Sequence, residues 1–598
     1  MKPPRADLPP RIRRPALAAT LLALFSALVL FAWRAAQQTA DSLDYALSAR
    51  TGREIFHPHH LLFTPMIRLA RLLISSLGGG EDPLLAGQLH NIVASVIVLI
   101  ACHEIVRRWT GSSLGGVAAA LLLLACRGFW LYSTLVEVYL PATACLALLV
   151  LLVTQEERLS TGRVLAGGLL LALAVLYHQP SVLFCAPLAY WFFIAPRGRG
   201  WKGGASMLFI AGLLTATAYL LAFLGPAALR GGGESLAAGE PTPARFIRFC
   251  LAYAFHPVAG WGTARNLSVL GLGRLLHSQL RNVTTFPWSL RALFIPGTGL
   301  LLLLLGGWHL RSIRADRPRR RERIFLLVWI VSYYLFFLWW FPGEKEFFIT
   351  PLLPLVLLIS LAAMDLRDRS GGWSRSRLRL LIPLSLLPAL LLGAVNLHGT
   401  ILPYHRSRGP AYQEASELAR SDVPAGCWIF ADYTVAENLR YYFGREKARE
   451  GVMPLYHFYE GRSLPRELAE AAGGCLAIDL EYVSPEFSAG GVTGARQPGQ
   501  WFSYLKWLLG AEKAGSGGGI SIRSFRVVDL AEGKRYLLLT ASREIAEGWR
   551  GVFRRLDAGL AGLQDAKGPF ARWLERFPSP PEQRSFGKRA PTPNPPAV

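Results

Sequence analysis

Asp41 and Asp44 open the stretch "DSLDYALSARTGREIFHPHHLLF", which starts a few residues after an apolar run and carries His57, His59 and His60 further on. Three apart on a helix, the two acids share one face with Cβ atoms about 5–6 Å apart. Carboxylates that close repel, so one keeps its proton or both share a cation. Either state suits proton abstraction from a hydroxyl, or metal-assisted handling of a phosphate by a divalent cation on Asp41 and Asp44. The same spacing also imitates a capping box, with Asp41 as N-cap and Asp44 at the third position. "HPHH" can present two imidazoles to a metal or a phosphate, but it runs into "LLFTPMIRLARLLISSL", an amphipathic segment expected to lie in the membrane interface.

Further polar residues stand where other apolar runs end: Glu137 and Tyr139 in "STLVEVYLP", His178 and Gln179 before Pro180, and Glu344, Lys345 and Glu346 in "FPGEKEFFITPLLPL". Each has an ordinary explanation. Glu137 could complement a helix dipole, Tyr139 could belong to an aromatic belt, and "EKE" could be a solvated turn. Lys345, the sole cation of that turn, is also placed to hold a phosphate at headgroup depth.

What must position these groups is a membrane protein. Of 598 residues 52% are hydrophobic and only 17% charged, with a mean hydropathy of +0.31, which excludes an ordinary soluble chain. Runs long enough to cross about 30 Å of hydrocarbon occur near residues 15–34, 86–106, 114–135, 138–154, 163–178, 180–195, 204–225, 291–310, 323–341, 347–364 and 379–397, so eleven spans are expected. With the N-terminal tail 1–14 in the cytoplasm, the cytoplasmic pieces hold 24 Lys and Arg, whereas the short opposite turns hold two, Arg127 and Lys345. This asymmetry is that of a multi-pass protein of a bacterial inner membrane. The net charge of +24 therefore orients the chain and does not mark a nucleic-acid partner.

The first span reads as an uncleaved anchor, because Arg34 or Gln38 occupies the position where a signal peptidase wants a small residue. Loops 35–85 and 226–290 then lie outside with the C-terminal part. There, over 398–577, strand-like runs ("CWIFADY", "CLAIDLEYV", a hairpin in "SIRSFRVVDLAEGKRYLLLTA") and helix-like runs predict an extracytoplasmic α/β domain. A Pro-rich tail, 578–598, follows. Cys102, Cys126, Cys145 and Cys185 sit in spans as packing residues, while Cys427 and Cys475 fall where a disulfide is permitted.

Taken in order, these motifs resemble the membrane-embedded glycosyltransferases of the GT-C fold, and among them the bacterial protein O-mannosyltransferase-like group. That group has an acidic motif after the first span, then a Gly and a His-Pro pair, here "DSLDYALSARTG" and "HPHHLLF". It also has a Glu-Val-Tyr motif, here "VEVYLP", a polar turn resembling "LYHQPSVLFCAPL", and a late span resembling "FFITPLLPLVLL" after a charged turn. The resemblance covers residues 15–365; "HPHHLLF" lacks the usual Gly-Tyr, and Asp44 stands where Glu is common.

The resemblance implies transfer of a sugar from a polyprenyl-phosphate carrier to an acceptor hydroxyl of undefined class outside the membrane. Asp41 would be the base or the carboxylate that orients the acceptor, Asp44 would assist or bind a cation, and Lys345 would neutralise the departing phosphate. His57, His59, Glu137, Tyr139 and His178 would line the cavity. No Walker-type or dinucleotide-binding loop stands between a strand and a helix, which favours a lipid-linked donor over a cytosolic nucleotide sugar. The main rival is a transporter or flippase, which would set its acids near the bilayer midplane between repeated halves.

Overall fold

A computed structural model of the chain describes residues 13–52, 55–57, 59–154, 159–195, 200–224, 267–285, 300, 303–314, 319–369, 375–450, 475–479, 521–530 and 535–542. They fall into two compact units, Met1–Gly409 and Pro410–Val598.

The first unit is helical. Its helices are α1 (Arg13–Ala32), α2 (Ala40–Thr51), α3 (Phe63–Ser76), α4 (Pro83–Thr110), α5 (Ser113–Ala125), α6 (Arg127–Thr134), α7 (Tyr139–Val153), α8 (Thr161–Tyr177), α9 (Cys185–Ala189), α10 (Trp201–Leu224), α11 (Val269–Val283), α12 (Arg320–Trp340), α13 (Leu352–Arg369), α14 (Arg375–Asn396) and α15 (Leu402–Arg406). Among the described residues five helices are long and apolar enough to cross a membrane: Pro83–Thr110, Trp201–Ala222, Arg320–Trp340, Lys345–Asp365 and Leu386–Arg420. A sixth arises if the bent pair α5 and α6 counts as one, and four shorter apolar helices (Ala16–Ala32, Tyr139–Val153, Thr161–Tyr177, Gln179–Ile194) stand at other expected spans. The run expected at 291–310 lies largely outside the described residues, as do the Pro-rich tail and most of loop 226–290.

α4 is the post on which the site is built. Asp82 caps it by accepting from the Leu84 N–H at 3.0 Å, Pro83 sits in its first turn, and Gly111 at φ 72° ends it. It packs against α1, α3, α5 and α7. Its buried polar residues hold neighbouring chain by carbonyl groups that lipid would leave unpaired. Gln88 Nε2 donates to the carbonyls of Ala35 (2.8 Å) and Thr134 (2.9 Å), and Asn91 Nδ2 to those of Leu135 and Glu137, both at 2.7 Å. Gly87 permits this close approach, since a Cβ there would stand 2.5 Å from Val136 Cγ1.

The run 114–135, expected as one span, is broken. α5 and α6 meet at 70°, with Cys126 extended between them. The Ala125 carbonyl released by the break accepts from Asn396 Nδ2 at 2.8 Å. The break lays α6 across the end of the bundle and delivers Arg127, Tyr132 and the 135–138 loop to one edge. Loop 226–290 holds a helix that the sequence reading passed over, α11, capped by Ser268, whose hydroxyl accepts from the Gly271 N–H.

The second unit has a five-stranded sheet of order β2-β1-β3-β5-β4, with β1 (Trp428–Ala431), β2 (Ala448–Glu450), β3 (Cys475–Asp479), β4 (Ser521–Asp529) and β5 (Arg535–Ser542). β1 runs parallel to β2 and β3, while β5 is antiparallel to β3 and to β4. α16 (Pro410–Arg420) and α17 (Tyr433–Phe443) contribute Ala415, Leu418, Val435 and Leu439 to a core shared with Ile429 and Leu538. Cys427 is disulfide-bonded.

Candidate active site

α2 begins at Thr39, two residues before Asp41, so the capping role offered to Asp41 falls to Thr39 instead. Its Oγ1 accepts from the Ser42 N–H at 3.0 Å and donates to Glu137 Oε1 at 2.5 Å. Ser42 Oγ adds a longer bond, 3.4 Å, to the same oxygen. The start of α2 is thereby tied to the loop that α4 holds through Asn91. Asp41 is half-buried in the first turn of α2 and Glu137 is 3% exposed. Burial raises the Glu137 pKa well above the carboxylate range and the nearby Asp41 and Glu346 charges raise it further, against the Thr39 and Ser42 bonds. Asp44, three residues further on, is half-buried on the same helix.

The imidazoles collect beside this pair. His57 stacks on His60 at 5.4 Å, and His60 on His178 at 5.7 Å. His59 lies 5.4 Å from His57 and its Nδ1 is 3.1 Å from Gln179 Oε1. Tyr139 meets His178 edge-on at 5.0 Å and Tyr45 meets His60 at 5.8 Å. The loop reaches α8 because the Leu62 N–H donates to the Leu176 carbonyl and because Leu61 packs with Leu176 and Tyr219. Burial, reinforced by His57, lowers His59 to about 4 and holds His60 well below the ordinary value. Burial, reinforced by His59, lowers His178 to about 3. Neutral imidazoles exchange hydrogen bonds but neutralise no charge, so this wall suits sugar hydroxyls rather than phosphate. Among the described residues no group of three or more His, Cys, Asp or Glu is arranged to hold a metal ion.

Positive charge enters from the other side. The turn 342–346 is hung from α11, where Ser278 Oγ donates to the Pro342 carbonyl (3.0 Å) and Asn282 Nδ2 to the Lys345 carbonyl (2.5 Å). Tyr132 OH donates to Glu346 Oε2 at 2.7 Å. Glu344 is pushed up to about 7 by burial and then by Glu346, against Lys345; Asp41 and Arg281 also act on it, which places the acid pair and these cations within electrostatic reach of one another. The same helix, α11, lines a cavity of about 140 Å³ through His277, Leu280 and Arg281, together with Arg127, Thr284, Thr285, Gly399, Thr400 and Tyr404. The buried Arg127 is held by its Nε bond to Thr400 Oγ1 (2.8 Å) and its NH1 bond to the Arg281 carbonyl (3.1 Å).

Asp41, Glu137, Tyr139, the histidines and Lys345 thus come from five separate stretches to one edge of the bundle. Sequence reasoning missed Thr39, Gln88, Asn91, Asn282 and Arg281, and took Arg127 only as one charge of a short turn. A polar side chain inside an apolar run was the one available signal for Gln88 and Asn91.

Residues 57–226 match the dolichyl-phosphate-mannose-protein mannosyltransferase family; the match contains Glu137 and the histidines but neither Asp41 nor Lys345. In three dimensions the chain is similar to ArnT from Cupriavidus metallidurans. Against ArnT bound to undecaprenyl phosphate the TM-score is 0.52 at 12% identity, covering 88% of this chain and 97% of that one. Against ArnT in the apo state the TM-score is 0.49 at 13% identity, covering 89% and 98%. Comparison with curated proteins finds no match. The chain has the fold of ArnT, and its residues 57–226 are similar to the mannosyltransferase family; together these support a GT-C fold, mannosyltransferase-like protein.

Proposed function

We propose that the protein is an integral-membrane glycosyltransferase that moves a sugar from a polyprenyl-phosphate donor to an acceptor hydroxyl on the extracytoplasmic face. The observation that carries this reading is the meeting of the Asp41–Glu137 pair with the Lys345 turn at one edge of a GT-C fold, since glycosyl transfer needs a base at the acceptor and positive charge at the leaving phosphate. ArnT, of the same fold, was solved with undecaprenyl phosphate bound. Asp41, less buried than Glu137, accepts the acceptor's proton as the acceptor oxygen bonds the anomeric carbon. The bond from that carbon to the phosphate oxygen breaks, and the oxygen keeps the electron pair. Lys345, with Arg281 and Arg127 close by, stabilises the phosphate, and the neutral histidines and Tyr139 hold the sugar. A single displacement inverts the anomeric centre. If a divalent cation takes part, Asp41 and Asp44 are the residues that would hold it, and it would supply charge stabilisation for the donor phosphate.

The charge asymmetry of the sequence supports a bacterial inner-membrane location with the N-terminus cytoplasmic. The sheet-bearing second unit then lies outside as an α/β domain.

The test compares membranes holding equal amounts of folded wild type and Asp41→Asn. The readout is release of polyprenyl phosphate from a panel of labelled polyprenyl-phosphate sugars, with cell lysate supplying acceptors. Release by wild type that the variant lacks supports the transferase. Movement of intact donor across the bilayer without release would identify a flippase, and undiminished turnover by Asp41→Asn would remove Asp41 from the chemistry.

A further inference from the structure

The turn 342–346 is held more firmly than a solvated loop requires. Ser278 and Asn282 stand one helical turn apart on α11, so they share a face, and both donate to carbonyls of this turn. Both are fully buried. The adjoining stripe of the same helix, His277 and Arg281, lines the cationic cavity. One rigid helix thus carries the cavity's charge on one stripe and the backbone of Lys345 on the next.

Asn282 is fitted to this task. Its Oδ1 is buried and makes no hydrogen bond among the described residues, an unfavourable state for a polar group, so the amide is held in place by what its Nδ2 does. Across from it stands Gly128, the second residue of α6. A Cβ on Gly128 would lie 2.5 Å from Asn282 Oδ1 and 2.9 Å from its Cβ, so the two helices approach this closely only because position 128 has no side chain.

We propose that Asn282 is a positioning residue for Lys345. By holding the Lys345 carbonyl it sets where the flexible four-carbon stem starts, and so keeps the ammonium in register with Arg281 and Arg127 on the leaving phosphate. The inference rests on the glycosyltransferase reading, and it assigns to Asn282 no contact with substrate. A lysine whose Cα drifts by an ångström still carries its charge, but its ammonium is no longer organised in advance for the transition state.

The test is a double-mutant cycle on the full-length protein in lipid nanodiscs, with Asn282→Ala, Lys345→Met and the pair. Two quantities are read: turnover of a polyprenyl-phosphate sugar, and binding of undecaprenyl phosphate. Asn282→Ala is expected to lower kcat about tenfold, the scale of one well-made hydrogen bond, and to change turnover less than twofold once Lys345 is already methionine. Gly128→Ala, which displaces Asn282 without altering its amide, should follow the same pattern and covers the case in which Asn282→Ala folds poorly. A tenfold loss that persists in the Lys345→Met background for both variants would make the role purely structural and overturn the inference. A wild type that neither binds undecaprenyl phosphate nor turns over any donor would overturn the glycosyltransferase reading itself, and the inference with it.

Discussion

Thr39→Val isolates the joint between the two acids. Valine keeps the shape of threonine and removes its hydroxyl, which accepts from the Ser42 N–H and donates to Glu137 Oε1. Loss of an N-cap costs about 1 kcal/mol. Loss of a hydrogen bond to a buried carboxyl group costs about another 1–1.5 kcal/mol. The sum, roughly 2–2.5 kcal/mol, is a factor of about 30–70 in the folded-to-unfolded ratio. Thr39→Ser retains both bonds and should lose little.

The measurement is reversible unfolding of the detergent-purified variants, paired with donor turnover. With Glu137 replaced by alanine, only the capping part should remain, about 1 kcal/mol. Because the first turn of α2 carries Asp41, turnover should fall with Thr39→Val and return with Thr39→Ser. If the valine and serine variants unfold together and turn over donor equally, Thr39 does not join the acids, and the positioning of Asp41 must have another source.

Asp41→Asn should reduce turnover by about 10²–10⁴, the usual contribution of a general base. Glu137→Gln keeps an oxygen to accept from Thr39 and Ser42 and should melt with wild type, whereas Glu137→Ala should not. Arg281→Gln should weaken undecaprenyl phosphate binding by about tenfold, as expected for one charge-assisted bond, and should flatten its dependence on salt; an unchanged salt slope would place the phosphate elsewhere.

Stability should depend on pH in two opposing ways. Glu344, with an ordinary value of 4.5 and about 7 in the fold, binds a proton that the unfolded chain has released. Its contribution is present below 4.5 and is lost as pH rises through 7, and Glu344→Gln should remove that slope from the melting curve. His59 and His178, lowered from 6.5 to about 4 and about 3, contribute stability above 6.5 that is lost as pH falls towards those values. His59→Gln should flatten the acid limb, and a limb unchanged by it would show that His59 is not buried neutral.

The membrane character and most helices were legible in the sequence, because hydropathy is a local property that the bilayer reads directly. Asp41, Glu137, His178 and Lys345 were legible for a related reason, since topology alone brings the ends of apolar runs to one boundary. The break at Cys126 was not, because an apolar composition does not record that Asn396, 271 residues after Ala125, will donate to the Ala125 carbonyl it frees. Nor was the protonation of the acids and histidines, which depends on burial that only packing creates. Thr39, Gln88, Asn91 and Asn282 have nothing unusual in their spacing; they act through carbonyls and carboxylates far along the chain. What the sequence by itself determined is which residues arrive at the membrane edge. Only the tertiary structure decided which of them touch, which keep their charge, and what holds them there, because hydrogen bonds between distant segments leave no period in a sequence.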